Sequence, residues 1–373
     1  MAMKILITGI CGFAGSVLAR TLLQQWTDLQ ITGIDNLSRQ GSETNVEPLR
    51  KLGIEVHIGD VRDADMLSKL PRAEFIIDCA ANPSVLAGLD GFSSSLGVMQ
   101  HNLYGTVNLL ELCKNWNAGF ILLSTSRVYS IAALSSLPLA ENTTRFLIDE
   151  TAPANGWSPR GIAESFSTEP PVSLYGSTKL CSELLALEYG AAFGFPVWIN
   201  RCGVLAGAGQ FGKADQGIFS FWIHSWSVGQ PLRYIGFGGM GKQVRDCLHP
   251  RDLAEVMLRQ MQDRALTGQR IYHFSGGAAN SMSLRELSDW SALRFPKRPC
   301  PLIQEITAET RPFDIPWLVL DSDHAMEKWN WQPVTPLHEI LEEIAQHAEA
   351  NPNWLDLVAG SAAPDDSKRP DSI

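Results

Sequence analysis

Residues 7–16 read ITGICGFAGS, and this stretch decides the fold. Its three glycines, Gly9, Gly12 and Gly15, follow a short apolar run and open a helical pattern. A glycine inside a helix costs about 1 kcal/mol relative to alanine, so this repeated use needs a physical reason. Between a buried strand and a helix, glycines permit a tight turn and let a pyrophosphate approach the helix N-terminus. We therefore predict a dinucleotide-binding turn, with packing alone as the alternative reason for the glycines.

The segments that follow this turn predict a parallel sheet. Short apolar runs suited to buried strands recur through the first 125 residues and alternate with amphipathic helix patterns, one of them at 102–115. Such alternation requires right-handed crossovers between parallel strands. We expect an α/β fold, a Rossmann-type doubly wound parallel sheet with a smaller C-terminal lobe.

The chain divides into unequal parts. We assign residues 1–202 to the Rossmann domain, including an excursion at 130–174 and a helix at 175–193. The segment 130–174 is rich in Ser, Pro, Glu and Ala, which indicates that it either serves a function or forms a mobile lid. Residues 203–350 are expected to form mainly a substrate-binding lobe, with some segments returning to the first domain. We expect disorder in residues 351–373, whose polar, Pro-rich end cannot bury apolar surface.

Composition excludes several classes of protein. The chain has 373 residues, a net charge of -10 and no basic cluster, which argues against nucleic-acid binding. No apolar run approaches the ~20 residues of a membrane span. Seven scattered cysteines and no export signal predict a cytoplasmic protein with reduced thiols. No pair of the eight histidines has metal-ligand spacing, so we expect no metal site.

Two aspartates end predicted strands. Asp35, after the second strand, can accept both hydrogen bonds of an adenosine ribose, and its charge would repel a 2′-phosphate. NAD is therefore favoured over NADP. Asp60 in GDVRD follows the third strand and either contacts the adenine edge or caps a helix.

A second cluster of residues predicts proton-transfer chemistry. Tyr175 and Lys179 in LYGSTKL share one helix face. We expect the ammonium, and the positive nicotinamide beyond it, to lower the pKa of the tyrosine towards the operating range. Ser124, Thr125 and Ser126 end the fifth strand, at the sheet edge where α/β proteins bind ligands. These hydroxyls could hydrogen-bond a substrate oxygen or only satisfy strand-end amides.

Together with DNLS, NLYGTVNLLE, STSRVY and VRDCLHPRD, these segments resemble the extended short-chain dehydrogenases/reductases, in the branch of NAD-dependent sugar-nucleotide epimerases and dehydratases. The resemblance implies NAD as cofactor, a nucleoside-diphosphate sugar as substrate, and a triad of Thr125, Tyr175 and Lys179. In that triad the tyrosine takes the proton as hydride leaves for NAD. The implied cofactor contacts are Gly9, Gly12, Phe13, Ala14, Gly15, Asp35, Asn36, Ser38, Arg39, Asp60, Val61, Ala80, Ala81, Asn82, Asn102, Tyr175 and Lys179.

The residues after Thr125 favour one reaction. Dehydratases of the family carry Asp-Glu where this chain has Ser126 and Arg127, so elimination of water is not expected. The basic Arg127, GKQVRD (241–246) and NSMSL (280–284) resemble the CDP-paratose (CDP-tyvelose) 2-epimerases. This implies C2 epimerisation of a CDP-activated hexose through a transient keto sugar. A 4-epimerase, a nucleotide-sugar reductase or dehydrogenase, and a non-catalytic dinucleotide sensor or scaffold are the alternatives.

The same resemblance implies substrate contacts. They are Thr125, Ser126, Arg127, Glu164, Gln210, Arg245, Arg311 and Asp314. Arg245 and Arg311 match family positions that clamp the diphosphate, which suits the fork geometry of guanidinium groups, and Asp314 matches an acid that holds the ribose. Arg245 could instead pair with Asp246 or Asp252.

The resemblance also implies a homodimer. The family commonly pairs two subunits through the helix that holds Tyr175 and the preceding helix. Seven leucines could form that interface or could face the sheet: Leu109, Leu110, Leu112, Leu180, Leu184, Leu185 and Leu187.

Overall fold

The computed structural model describes residues 2–89, 94–149, 151, 155–213, 216–302 and 313–359. Its strands are β1 (Met3–Thr8), β2 (Leu29–Asp35), β3 (Glu55–Ile58), β4 (Phe75–Asp78), β5 (Gly119–Thr125), β6 (Leu139–Glu141), β7 (Phe146–Ile148), β8 (Trp157–Ser158), β9 (Gly161–Ile162), β10 (Val197–Cys202), β11 (Val204–Leu205), β12 (Val244–Leu248), β13 (Ile271–Phe274), β14 (Ser281–Ser283) and β15 (Trp317–Leu318).

Helices alternate with the strands. They are α1 (Phe13–Gln25), α2 (Val46–Lys51), α3 (Ala64–Leu67), α4 (Ser95–Met99), α5 (Gly105–Trp116), α6 (Ile131–Ser135), α7 (Ser173–Phe193), α8 (Ile218–Val228), α9 (Ala254–Gln262), α10 (Leu284–Arg294), α11 (Asp323–Trp329), α12 (Leu337–Ala350) and α13 (Trp354–Ala359). A π-helical turn (Gln100–Tyr104) leads directly into α5.

A seven-stranded sheet forms the centre of the first domain. Its strand order is β13-β10-β5-β4-β1-β2-β3, and every neighbouring pair is parallel. The strands read as continuous apolar runs because helices cover both faces of the sheet. The order reverses between β1 and β4, and in such sheets ligands bind beyond the carboxyl ends of the strands at this point. The predicted Rossmann-type doubly wound fold is confirmed.

The helices α5 and α7 pack on one face of this sheet. Three leucines expected at a subunit interface are buried in the core on that face: Leu109, Leu110 and Leu112. For these three the alternative of the two applies, because the periodicity of α5 turns them towards the sheet. On α7, Leu184 is 59% exposed, whereas Leu185 and Leu187 pack partly against the same core.

The described residues of the 130–174 segment are folded onto the C-terminal lobe. They form α6 and two small hairpins, β6–β7 and β8–β9. Arg145 makes a 2.7 Å ion pair with Glu286, and the amide of Ile162 donates to the Val319 carbonyl at 2.8 Å. Side-chain and backbone bonds therefore anchor this segment, and these bonds do not support the expectation of a mobile lid.

The C-terminal lobe has a small sheet and a separate core. β12 pairs with β11, β14 and β15, while β13 returns to the large sheet. Helices α8 and α12 bury Trp222, Ile223 and Ile344 in this core. Within the described residues, no helix has the length and apolar character needed to cross a membrane.

The chain after residue 351 does not match the expected disordered tail. Residues Trp354–Ala359 form α13, and its Val358 is buried. The expectation is therefore wrong for this helix, because Trp354 and Val358 find apolar partners that are distant in sequence. Residues 360–373 lie outside the described residues.

Candidate active site

The glycine turn joins β1 to α1 at the switch point of the sheet. Gly9 has a φ of +60°, and a Cβ there would lie 2.9 Å from the Cα of Ala80. A Cβ on Gly15 would lie 2.3 Å from the Gly9 carbonyl oxygen. Gly12 is the N-cap of α1 and supplies no side-chain cap, so the first amides of the helix, those of Phe13 and Ala14 included, need another acceptor. These features fit the predicted pyrophosphate cradle.

Asp35 ends β2 beneath this turn. Its two carboxylate oxygens accept hydrogen bonds from the amides of Cys11, at 2.9 Å, and Leu37, at 2.8 Å. Burial raises the pKa of the Asp35 carboxyl, and the backbone N–H bonds act in the opposite direction. Each oxygen has a further lone pair. Asp35 can therefore accept ribose hydroxyls as predicted.

Asp60 is held by side chains that follow β2 and β3. Asn36 Nδ2 donates to it at 2.8 Å, and Arg62 forms a 2.7 Å ion pair with it. The hydrogen bonds from Arg62 hold the pKa of Asp60 well below its ordinary range. The helix-cap alternative for Asp60 is wrong, because Asp63 caps α3 by accepting a bond from the Met66 amide at 3.0 Å.

The loop after β2 reaches the C-terminal lobe. The Arg39 guanidinium donates to the Phe211 carbonyl and, at 3.1 Å, to Gln216 Oε1. The Ser38 amide donates to Asn36 Oδ1 at 3.0 Å, which tightens the loop. Arg39 therefore joins the expected ribose edge to the lobe expected to bind substrate.

The loop after β4 is tied to α7 through Asn102. The Asn82 amide donates to Asn102 Oδ1 at 2.8 Å, and Asn102 Nδ2 donates to Thr178 Oγ1 at 3.1 Å. The Ala80 amide donates to Thr8 Oγ1 at 3.1 Å. Three predicted cofactor residues follow β4 and thus lie between the end of β1 and α7: Ala80, Ala81 and Asn82. Thr178, the residue of α7 that Asn102 contacts, directly precedes Lys179.

Thr125 and Tyr175 lie together where β5 and α7 meet. Both line one cavity, and the Thr125 hydroxyl also accepts a 3.1 Å hydrogen bond from the Arg127 amide. Lys179, one turn along α7, is 2% exposed. Its ammonium makes no hydrogen bond or ion pair with any residue that the structure describes. A buried cation without a protein partner is costly, so its environment fits a ligand hydroxyl or anion.

The pKa of Tyr175 differs from the expectation. Burial raises it to about 12, while the Thr125 side chain and the charge of Arg127 lower it by less. Lys179 does not contribute among the protein groups, so the expected lowering by its ammonium is wrong for the chain alone. The helix places the two residues on one face, but desolvation of the phenol outweighs the charges around it.

The cavity beside Tyr175 has a volume of about 410 Å³ and extends into the C-terminal lobe. Its lining includes Thr125, Ser126, Arg127, Tyr175, Gln216, Gln243, Arg245 and Asp314. Arg245 makes a 3.1 Å ion pair with Asp314 and also donates to the Ile315 carbonyl at 2.8 Å. The alternative pairings of Arg245 with Asp246 or Asp252 are therefore wrong.

Arg127 is another of the arginines that line the cavity, together with Arg245 and Arg233. It donates to the Phe313 carbonyl at 3.3 Å, and no described carboxylate lies within ion-pair distance of it. Burial, followed by the like charge of Arg245, lowers the pKa of Arg127 to about 10. Arg127 and Arg245 are largely buried and share one carboxylate, Asp314, so this wall has an excess positive charge that suits an anionic ligand.

Two predicted substrate residues do not line the cavity. The Glu164 carboxylate accepts a 3.0 Å hydrogen bond from the His273 amide and lies 3.0 Å from His324 Nδ1, so it is engaged at the edge strand β13. Gln210 Nε2 donates to the Leu205 carbonyl at 2.7 Å, which turns this side chain inward. Both predictions are corrected, and Arg311 lies outside the described residues.

Among the cavity residues that were not predicted are two glutamines. Gln216 lies just before α8, and Gln243 belongs to GKQVRD, from which only Arg245 was chosen. Gln243 Nε2 donates to the Ile235 carbonyl at 2.8 Å, which leaves its oxygen buried without a partner. The position of Gln243 two residues before Arg245, in the same motif, was the available signal for that residue.

Comparison with known proteins shows the family to which the chain belongs. The sequence model of the NAD dependent epimerase/dehydratase family matches residues 5–273. The CDP-paratose 2-epimerase of Salmonella typhi is 30% identical over 293 residues, which are 76% of this chain and 82% of that protein. A trifunctional UDP-glucose 4,6-dehydratase/UDP-4-keto-6-deoxy-D-glucose 3,5-epimerase/UDP-4-keto-L-rhamnose-reductase of Arabidopsis thaliana is 27% identical over 366 residues. That match covers 97% of this chain but 49% of the Arabidopsis protein, about half its length.

A solved structure has the same fold. The UDP-glucuronic acid 4-epimerase of Bacillus cereus, crystallised with UDP-glucuronic acid and NAD, superposes with a TM-score of 0.75 at 22% identity. The superposition covers 93% of this chain and 99% of that chain. At this identity the likeness concerns the fold.

Proposed function

Since the chain belongs to the NAD-dependent epimerase/dehydratase family, we propose that it is a nucleotide-sugar epimerase that inverts C2 of a CDP-activated hexose. Membership in this family makes the chain an enzyme whose cofactor is NAD. The observation that carries the proposal is that Thr125 and Tyr175 line the same cavity as two largely buried guanidinium groups, those of Arg127 and Arg245. A proton acceptor and a site for a diphosphate thus share one space.

The residues of the first domain would hold the cofactor. The glycine turn and the first amides of α1 would take the pyrophosphate, and Asp35 the adenosine ribose. The buried Lys179 would take the nicotinamide ribose, which supplies the partner that its ammonium lacks within the described residues. NAD, when bound, accepts a hydride from the sugar carbon and returns it.

Tyr175 would take the proton of the reacting hydroxyl and later give it back. Thr125 orients that hydroxyl and hydrogen-bonds the phenol, which lowers the pKa of Tyr175 against the effect of burial. Arg127 acts in the same direction through its charge. Positioned acid–base groups of this kind contribute about 10²–10⁴-fold to a rate.

The composition of the cavity favours epimerisation over dehydration. Elimination of water needs a carboxylic acid and a base beside the hydroxyl residue. Ser126 and Arg127 stand there, and the cavity carboxylate Asp314 is paired with Arg245. Removal and return of a hydride requires only Thr125, Tyr175 and Lys179 from the chain.

A panel of nucleotide sugars tests the proposal. Purified enzyme is incubated separately with CDP-, UDP- and GDP-hexoses, and the products are identified by NMR. We expect a C2 epimer from a CDP-sugar, without release of NADH. Inversion at C4 would favour a 4-epimerase instead, and a net change in NADH would favour a reductase or dehydrogenase.

We further propose that the enzyme is a homodimer formed through the outer faces of α7 and the turn before α5. Leu184 and Tyr104 are 59% and 51% exposed there. Large exposed apolar side chains on adjacent helices are typical of a subunit interface. Sedimentation at micromolar concentration should show a dimer and, for Leu184→Glu, a monomer; monomeric wild-type protein would contradict the proposal.

A further inference from the structure

The C-terminal helix α13 covers the loop after β11. The indole Nε1 of Trp354 donates to the Gln210 carbonyl at 3.0 Å. Its ring stacks on Phe211, with centroids 5.7 Å apart and planes at 20°. Phe211 is itself buried, so α13 closes one side of this loop.

The same helix touches the loop that follows the ribose edge. Val358 is 1% exposed, and its Cγ1 lies 3.2 Å from the point where a Cβ on Gly41 would be. The Phe211 ring lies 3.0 Å from that point. Gly41, Phe211 and Val358 therefore meet at one place, where the Rossmann domain, the C-terminal lobe and α13 join.

Arg39 connects this junction to the cavity. Its guanidinium bonds the Phe211 carbonyl and Gln216 Oε1, and Gln216 and Gly217 line the cavity beside Tyr175. If Phe211 were displaced, its carbonyl, which accepts the hydrogen bond from Arg39, would move with it. Because Arg39 also bonds Gln216, the neighbouring cavity wall would move too.

Contacts with α12 and α8 also hold α13 in place. The His347 ring of α12 meets the Trp354 ring edge-on at 4.7 Å, and His347 Nδ1 lies 3.2 Å from His224 Nε2 of α8. Residues of α8 and α12 thus contact the Trp354 ring in addition to Phe211.

We propose that α13 is a strap and that its Trp354 is a positioning residue for two ligands, NAD and the nucleotide sugar. By holding Phe211 against Arg39 and Gly41, it fixes the cavity wall relative to the edge at Asp35. The inference rests on the proposed function, because it assumes that NAD occupies that edge. A preformed loop binds more tightly than one that must be ordered on binding.

Three variants test the strap in the full-length enzyme. Trp354→Ala removes the stack and the hydrogen bond, Trp354→Phe keeps a stacked ring, and Leu357→Ala changes the outer side of α13, where Leu357 is 39% exposed. Calorimetry gives the Kd for NAD, and steady-state kinetics give kcat and KM. We expect Trp354→Ala to raise Kd and KM about tenfold with kcat changed less than threefold, Trp354→Phe to restore most of the loss, and Leu357→Ala to change nothing.

A double-mutant cycle with Arg39→Met distinguishes a strap from general destabilisation. If Trp354 acts through Arg39, the increase in Kd of the double variant is smaller than the product of the two single increases. Multiplying effects, or an unchanged Kd and KM in Trp354→Ala, would overturn the strap. Asp35→Ala separates the two proposals, since a variant that keeps full NAD affinity would overturn the assumed cofactor edge instead.

Discussion

The Nη2 atom of Arg245 lies 3.1 Å from Oδ1 of Asp314, and both side chains line the cavity that contains Tyr175. The two side chains are 13% and 16% exposed, so their charges are largely desolvated and depend on each other and on any ligand that enters. Because Arg127 and Arg233 also line the cavity, the charge of Asp314 is outweighed and an excess of positive charge is left for an anion. This relationship underlies the assignment of the cavity to a nucleoside diphosphate.

Arg245→Ala should weaken binding of the nucleotide part of the substrate. A hydrogen bond to a charged group contributes about 1.5–3 kcal/mol, so KM should rise about 10- to 100-fold. Turnover should also fall, because a substrate no longer anchored at its remote end is less well positioned. Calorimetric titration with CDP measures the effect directly. The control is Arg285→Ala, whose side chain is 47% exposed in the same lobe, and equal CDP affinity in both variants would refute the role of Arg245.

Tyr175→Phe should abolish proton transfer while leaving the ring in place. We expect kcat to fall about 10²–10⁴-fold with CDP affinity unchanged. Tyr189→Phe is the matched control, since Tyr189 lies on the same helix and bonds Glu111 at 2.7 Å on the outside of the domain. Near-normal turnover of Tyr175→Phe would show that another group is the base.

Asp35→Ala should weaken NAD binding and relax its preference over NADP. The carboxylate accepts two backbone N–H groups and is expected to accept the ribose hydroxyls, which a 2′-phosphate would prevent by repulsion. Cofactor released by heat from the wild-type protein and identified by mass should be NAD(H). Asp28→Ala, at the exposed end before β2, should leave affinity and preference unchanged. Recovery of mainly NADP from the wild-type protein would contradict the role of Asp35.

Acid should destabilise the fold below neutral pH. Burial lowers the pKa of His224, His249 and His273 to about 3, whereas an unfolded histidine titrates near 6.5. The unfolded state therefore binds more protons between these values, so stability is full above about pH 6.5 and is lost progressively towards pH 3. Urea unfolding at pH 7 and pH 5 measures the loss. His224→Asn should reduce it, and the exposed His338→Asn should leave it unchanged; equal losses in both variants would remove His224 from the explanation.

The first domain was predictable because its signals are local. β1, the glycine turn and β2 occupy one continuous stretch of sequence. The apolar residues of β2 predict where that strand ends, and this places Asp35 at its end. The positions of Thr125 and Tyr175 follow similarly from a strand end and a helix face, whose meeting is imposed by the parallel sheet.

The remaining features depend on partners distant in sequence. Glu164 bonds the His273 amide 109 residues away, and Trp354 bonds the Gln210 carbonyl 144 residues away. No periodicity in either segment specifies those partners, so Glu164 was expected in the substrate site and Trp354 in a disordered tail. The pKa of Tyr175 was also missed, because burial raises it, and the Tyr175–Lys179 spacing does not specify how deeply the phenol is buried.

The central claim is removal and return of hydride at C2, and an isotope label tests it most directly. A CDP-hexose carrying deuterium at C2 is incubated with the enzyme in ordinary water until both epimers are present, and the label is followed by NMR. The account predicts inversion at C2 with deuterium retained on that carbon in both epimers. Loss of the label to water would indicate enolisation, and inversion at another carbon with C2 unchanged would equally contradict the account.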